Sequence, residues 1–367
     1  MRRTGTATLP LHGGRAPRWL FARMVRLARA VVEALVEDAG PAGVLRRLAD
    51  PFWFQAFGCL LGFDWHSSGV TTTVCGALKE GLKGTEGTLG LLVAGGKGAA
   101  SRHTPWELSA YGERFGLDPA PLVYASRLAA KVDNNALQDG YQLYHHTFFL
   151  TREGAWGVVQ QGMRPADRTA RRYHWLGEAV QSFVCEPHAA ICCDHTGPVL
   201  NLVAAESAAA RSAITTLASE PPQRLLAELA RIRSPAAELP TPDLRLPVHH
   251  AVEWTDIHPE RLAGALLRTY QAQASTFEAL LGLPGVGART LRALALLSEV
   301  LAGAPPSWRD PARFAFAHGG KDGHPFPVDR TTYDRTIALL EDAVRRARLG
   351  EPERLGAIRR LHTLGAA

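Results

Sequence analysis

Long apolar runs are missing from this chain of 367 residues, which nowhere approaches the roughly 18 consecutive apolar positions of a transmembrane helix. The first ten residues, Arg2 and Arg3 among them, hold no apolar core of the signal-peptide kind. Cysteine is scarce and odd in number, five in all with Cys192 and Cys193 adjacent, which argues against a disulfide framework and for a reducing cytoplasm. No Cys-x-x-Cys knuckle is present, so the stretch holding Cys185, His188, Cys192, Cys193, Asp194 and His195 matches no common structural zinc spacing. The glycine-lysine turns at residues 95–98 and 319–323 lack the Walker A pattern, and no nucleotide cofactor is expected. Internal repeats and low-complexity tracts are missing too. Excess charge is small: 41 basic against 35 acidic residues leave a net +6, which suits a polyanionic partner without demanding one.

What is present describes a globular protein, 46% hydrophobic and 21% charged. The length exceeds one core of ordinary size, so two domains are expected. Residues 18–37 place Leu20, Met24, Leu27, Val31 and Leu35 at helical spacing. A second helical stretch, 43–49, leads into the aromatic segment 51–57, and 67–83 reads as a helix with Ser67 as its N-cap. Residues 88–94 read as a buried strand ending in the turn 95–98. Thr104, Pro105 and Glu107 have the form of a capping box. Residues 141–150 and 155–161 then alternate like strands around the polar turn 151–154, a β-hairpin. Helical patterning resumes at 173–183, 200–217 and 222–232, before three prolines between 234 and 243 mark a linker. The expectation is an α+β chain. A mostly helical domain with a small hairpin-containing sheet spans 1–233, a linker 234–247, and an all-α domain 248–367.

Within that last domain, residues 276–282 and 291–301 are helical in pattern, and Pro284, Gly285 and Gly287 form a tight turn between them. The arrangement resembles the helix-hairpin-helix of DNA-repair and nuclease proteins. Backbone N–H groups of such a turn bind phosphate oxygens, so Gly285, Gly287, Arg289, Thr290 and Arg292 are expected to contact a DNA backbone without reading sequence.

Chemistry-bearing residues concentrate elsewhere. Around the hairpin lie Asp139, His145, His146 and Gln160, a set suited to acid–base or metal-assisted hydrolysis, with Asp139 as the ligand of a divalent magnesium or manganese ion. Strand alternation puts Tyr141, Leu143 and His145 on one face and Gln142, Tyr144 and His146 on the other. Arg171 and Arg172, beside Tyr173, His174 and Trp175, suit phosphates and stacked bases, or else a helix entry with solvated arginines. The loop 319–334 brings Lys321 and Asp329 close behind the turn, where loop residues often carry function.

Four blocks carry a wider resemblance: Arg3-Thr4-Gly5 with the segment from Leu9 to Leu20, residues 63–69 (including Asp64, Trp65, His66 and Ser67), residues 138–146, and Arg172-Tyr173-His174-Trp175. In these the chain resembles an uncharacterised domain-of-unknown-function family (number 763) of thermophilic archaea and bacteria. That resemblance implies no particular activity. A narrower one joins residues 283–290 to Pro327, Val328, Asp329 and Arg330, which are similar to the hairpin-plus-aspartate signature of helix-hairpin-helix DNA glycosylases. It implies Asp329 as catalytic aspartate, with Arg289 where some members have a Schiff-base lysine. Arginine stays protonated, so a lyase-free glycosylase is what it implies. The leading expectation is a cytoplasmic DNA-processing enzyme, a metal-dependent nuclease in DNA repair. The alternatives are the glycosylase and a non-catalytic DNA-binding module, and no membrane partner is expected.

Overall fold

A computed structural model of the protein describes residues 17–63, 68–166, 168–193, 196–233, 259–312, 330–347 and 349–365. The chain opens with α1 (Arg18–Ala49), α2 (Pro51–Leu60), α3 (Gly69–Leu82) and α4 (Glu86–Leu89), then β1 (Leu91–Lys97), α5 (Ala99–Arg102), α6 (Thr104–Phe115) and α7 (Pro119–Lys131). A π-helical turn, Val132–Ala136, leads to β2 (Leu137–Gln138), β3 (Gln142–Thr151), β4 (Trp156–Arg164), β5 (Thr169–Leu176), β6 (Ala190–Cys192) and β7 (Leu200–Asn201). Helices follow: α8 (Ala208–Ala218), α9 (Pro222–Arg233), α10 (Pro259–Ala272), α11 (Phe277–Gly282), α12 (Ala288–Ala302), α13 (Arg330–Arg346) and α14 (Glu351–Gly365).

Local signals explain many of these boundaries. α1 is broken where expected between residues 37 and 43, because Gly40 adopts φ 68° ahead of Pro41. Asp50 then caps α2, its carboxylate accepting from the N–H groups of Phe52 and Trp53. The hairpin of β3 and β4 forms around residues 152–155 as expected.

Other expectations are corrected. Residues 173–176 continue β5 instead of starting a helix: Arg171, Tyr173 and Trp175 alternate with Arg172 and His174, and both faces are buried, which hides the alternation. Residues 200–201 are likewise strand, and helix begins only at Ala208. The β1 strand starts after Gly90 and runs through Gly95 and Gly96, which pair with Thr147 and His146. The capping box at Thr104 does not form, because Glu107 reaches β1 instead, accepting from the N–H of Gly95 and from Lys79 Nζ. The N-cap position of α3 is Ser68, without a side-chain cap bond, while Ser67 lies outside the described residues.

The class is α+β. Five strands form one antiparallel sheet in the order β1-β3-β4-β5-β6, and β2 pairs with β7 apart from it. Helices cover both faces. On the first, Phe148, Leu150, Val158, Tyr173 and Trp175 pack in one cluster with residues of α6 to α12, such as Leu108, Leu128, Ile214, Leu266, Leu280 and Leu294. On the second, Leu91, Val93, Phe149 and Val159 pack with α1, α2, α3, α13 and α14. The helices beyond residue 258 are thus divided between the two layers. The expected linker, 234–247, lies outside the described residues. Among the described residues no helix is long and apolar enough to cross a membrane.

Candidate functional site

Burying both faces of the sheet leaves its polar side chains to bond one another, and they do so in separate clusters, two of them on the first face and one on the second. A β-bulge at Tyr144 decides the membership. Leu143 pairs with Gly162 but His145 with Gln161, so one residue is extra on β3 and the alternation changes parity. Leu143 therefore shares the first face with His146, and His145 lies on the second. The simple alternation that grouped Leu143 with His145 is corrected by this bulge.

The first-face network centres on Asp133, in the π-helical turn and fully buried. Its Oδ2 accepts from Gln160 Nε2 at 2.6 Å and Trp175 Nε1 at 3.0 Å, and its Oδ1 from His188 Nε2. The amide of Gln160, oriented by that donation, presents Oε1 to His146 Nδ1 at 2.8 Å, so Nδ1 carries the proton. His146 Nε2 then accepts from the Ser126 hydroxyl at 2.9 Å. Burial pushes the His146 imidazole below its ordinary value, against the Gln160 bond and the Asp133 charge, and the ring stays neutral. His188 packs edge-on against Trp175, with ring centroids 4.6 Å apart.

Asp139 stands apart from this set. Its Oδ1 accepts from the N–H of Tyr141 at 3.0 Å, and its Oδ2 from Arg171 Nη1 at 3.0 Å and the Tyr173 hydroxyl at 2.7 Å. Arg171 also grips Asp310 through two bonds of 3.0 and 2.8 Å. Burial pushes the Asp139 carboxyl up, opposed by Arg171 and the Tyr173 hydroxyl. Burial also disfavours the Arg171 cation, but the carboxylates of Asp139 and Asp310 outweigh it and hold the guanidinium well above its ordinary value. A carboxylate whose two oxygens are filled by protein donors beside a guanidinium does not fit a magnesium or manganese ion. Among the described residues no three His, Cys, Asp or Glu side chains are grouped for a metal.

On the second face, cross-strand pairing sets Lys97, His145, Gln161, Arg172 and Cys192 in one row across the sheet. Gln161 donates to the Ser68 carbonyl at 2.9 Å and bonds Tyr144 and Thr71. Arg172 lies over the Phe54 ring, donates to Gln55 Oε1 at 3.0 Å and to His174 Nε2 at 2.8 Å, and the other ring nitrogen of His174 donates to the Leu48 carbonyl. His145 bonds Thr147, while its Nδ1 has no partner among the described residues. Burial, with His146 and Lys97 nearby, pushes His145 down to about 3. Burial also raises the Cys75 and Cys192 thiols to about 12.

Of the residues expected to carry hydrolysis, His146 and Gln160 are thus bonded to each other, Asp139 belongs to the Arg171 cluster, and His145 is across the sheet. Arg171 and Arg172 are 1% and 0% exposed and bond to the protein interior instead of presenting a surface. Lys321 and Asp329 lie outside the described residues, as do Asp64, Trp65, His66, Asp194 and His195. Cys192 and Cys193, adjacent on or beside a strand, face opposite ways, one to Arg172 and one to Tyr141. Ser126 was missed, and Asp133 and His188 were noted only in separate blocks, His188 in the cysteine-rich stretch, so their pairing was not foreseen. A carboxylate following Leu128, Ala129 and Val132 in an apolar helical run was the available signal, since a buried charge requires partners.

The turn between α11 and α12 takes shape from both sides. Thr276 caps α11 by accepting from the N–H of Ala279, and Gly285 has φ 79°. Lys131 Nζ donates to the carbonyls of Leu283 at 2.6 Å and Val286 at 3.0 Å, and burial lowers its ammonium from the ordinary value. Gln138 donates to the Ala288 carbonyl at 2.7 Å and accepts from Arg292 at 2.6 Å. The Arg268 guanidinium lies against Gly285, where an added Cβ would come within 2.6 Å of Nη2, with no carboxylate partner among the described residues. Pro284, Gly285 and Arg289 are exposed, Thr290 is buried, and Gly287 precedes α12 with no side-chain cap.

A family model described as Protein of unknown function (DUF763) matches residues 5–328. No curated protein and no solved structure matches the chain.

Proposed function

The chain belongs to that family of unknown function, and for this member we propose a DNA-processing protein that grips the nucleic-acid backbone at the turn between α11 and α12. The turn and its helices then act as a helix-hairpin-helix. The observation that carries this reading is the polarity of the turn. Its carbonyls at Leu283 and Val286 are held inward by Lys131, which leaves the exposed glycine apex and the uncapped start of α12 toward solvent. Unsatisfied N–H groups at a helix start favour a phosphate, and so does the helix dipole. Arg268, lying against Gly285, and Arg289, in the first turn of α12, add positive charge at the same place. None of these groups reads a base edge, so binding is expected to be indifferent to sequence.

The test is fluorescence anisotropy with labelled duplexes of unrelated sequence over a range of salt. Wild-type affinity should fall steeply with salt. Arg268→Ala should weaken every duplex alike and reduce the salt slope by about one. A folded Arg268→Ala, Arg289→Ala double variant that binds as well as wild type would remove the reading.

A further inference from the structure

The first-face network contains a feature that the hairpin does not use. We propose that His188, oriented by the Asp133 carboxylate, is the general base of a hydrolytic site acting on a phosphodiester of the strand held at the Gly285 turn. The proposal rests on the backbone-binding reading and adds the reaction and the residue that performs it.

The geometry is that of a base with its orienting group. His188 Nε2 donates to Asp133 Oδ1, which fixes the tautomer and leaves the lone pair on Nδ1. Nδ1 has no hydrogen-bond partner among the described residues, in a side chain that keeps 7% of its surface exposed. Asp133 is saturated by Gln160, Trp175 and His188, so it cannot turn away. Both partners also ride on irregular backbone. Asp133 sits in a π-helical turn, and Glu186, two residues before His188, holds φ 47° as a non-glycine residue. Such departures cluster where a structure holds side chains for chemistry.

The segment bearing Asp133 is also the one that holds the hairpin. Lys131 bonds the carbonyls of Leu283 and Val286, and Gln138 bonds Ala288 and Arg292, so the dyad and the turn are attached to one short stretch of chain. In the reaction, water gives a proton to His188 Nδ1 as its oxygen bonds to phosphorus. The bond from phosphorus to the leaving sugar oxygen, in line on the opposite side, breaks as that oxygen takes a proton from solvent water, and the imidazolium returns its proton to solvent. One water is consumed, a hydroxyl and a phosphomonoester end are formed, and His188 is restored. Asp133 is a positioning residue that stabilises the transient imidazolium.

The full chain is incubated with labelled single-stranded DNA, duplex DNA and RNA of one sequence, each with and without magnesium. Wild type should cleave at least one of them. His188→Ala should be slower by at least about a hundredfold, with unchanged binding, and added imidazole should restore part of its rate. His188→Gln keeps an N–H donor for Asp133 but offers no basic nitrogen, so it should stay folded, inactive and beyond rescue by imidazole. If His188→Ala fails to fold, the glutamine variant decides. Wild-type binding without cleavage of any probe overturns this proposal and leaves the backbone-binding reading intact. Full activity in His188→Gln also overturns it. Failure of wild type to bind sinks the backbone-binding reading first.

Discussion

His145 and His146 are neighbours in β3 that face opposite helical layers, and each is kept neutral by the layer that covers it. His174, buried beside Arg172, is held well below its ordinary value in the same way. The unfolded chain protonates these rings below about 6.5, whereas the folded chain does so only at lower pH. The unfolded state therefore binds more protons, and stability is lost as pH falls from about 6.5 toward the folded values, for His145 down to about 3. His145 should contribute a loss of about 1.4 kcal/mol per pH unit in that window, and His146 and His174 act in the same direction. Urea unfolding at pH 7 and pH 5 should show the decline, and in His145→Asn it should be smaller by about 2 kcal/mol. An unchanged pH dependence in that variant would show that His145 does not titrate this way. Arg171 gives a second residue-level prediction. Arg171→Met leaves Asp139 and Asp310 without their shared cation and should cost about 3–5 kcal/mol in urea unfolding, because removing one partner strands buried charge. Adding Asp139→Asn to that variant should recover part of the loss.

At the level of elements, what the sequence made legible were features with local causes. The break of α1 between 37 and 43, the β3–β4 turn and the glycine turn at Gly285 were read along the chain, whereas the caps Asp50 of α2 and Thr276 of α11 were not. The misread elements had long-range causes. β5 looked helical because its polar residues, Arg171, Arg172 and His174, are buried and have partners on other elements. Glu107 left its expected cap for Lys79 and Gly95. The turn before α12 is likewise supported from outside itself, by Lys131. Lys131→Met should loosen it while leaving the sheet in place. Amide hydrogen exchange should then rise across residues 283–292 and stay unchanged in β3 and β4. Uniform exchange in both variant and wild type would mean that the turn holds its shape without Lys131.

For the whole molecule, the question is whether residues 1–233 and 248–367 are separable, as composition and the three prolines suggested. Leu262, Leu266, Leu280, Leu291 and Leu294 share one cluster with Phe148, Val158 and Trp175 of the sheet, and Leu340, Val344 and Leu361 share another with Phe149 and Val159. A fragment ending at Arg233 would expose apolar surface on both layers at once. It should lack the cooperative unfolding transition of the full chain and bind a hydrophobic dye. A fragment that unfolds as sharply as the full chain would establish two independent domains instead.

The sequence by itself determined where α1 breaks, where the β3–β4 hairpin turns, and that a glycine turn precedes α12. Caps, turns and hydrophobic periods act between residues a few positions apart, so they can be read along the chain. The tertiary structure alone decided the site. The bulge at Tyr144 assigned His145 and His146 to different networks. His188 meets Asp133 across 55 positions of sequence, and Arg171 meets Asp310 across 139. Those bonds arise because polar side chains buried on both faces of one sheet must find partners wherever the packing of distant helices and strands brings them, and no local pattern encodes that encounter.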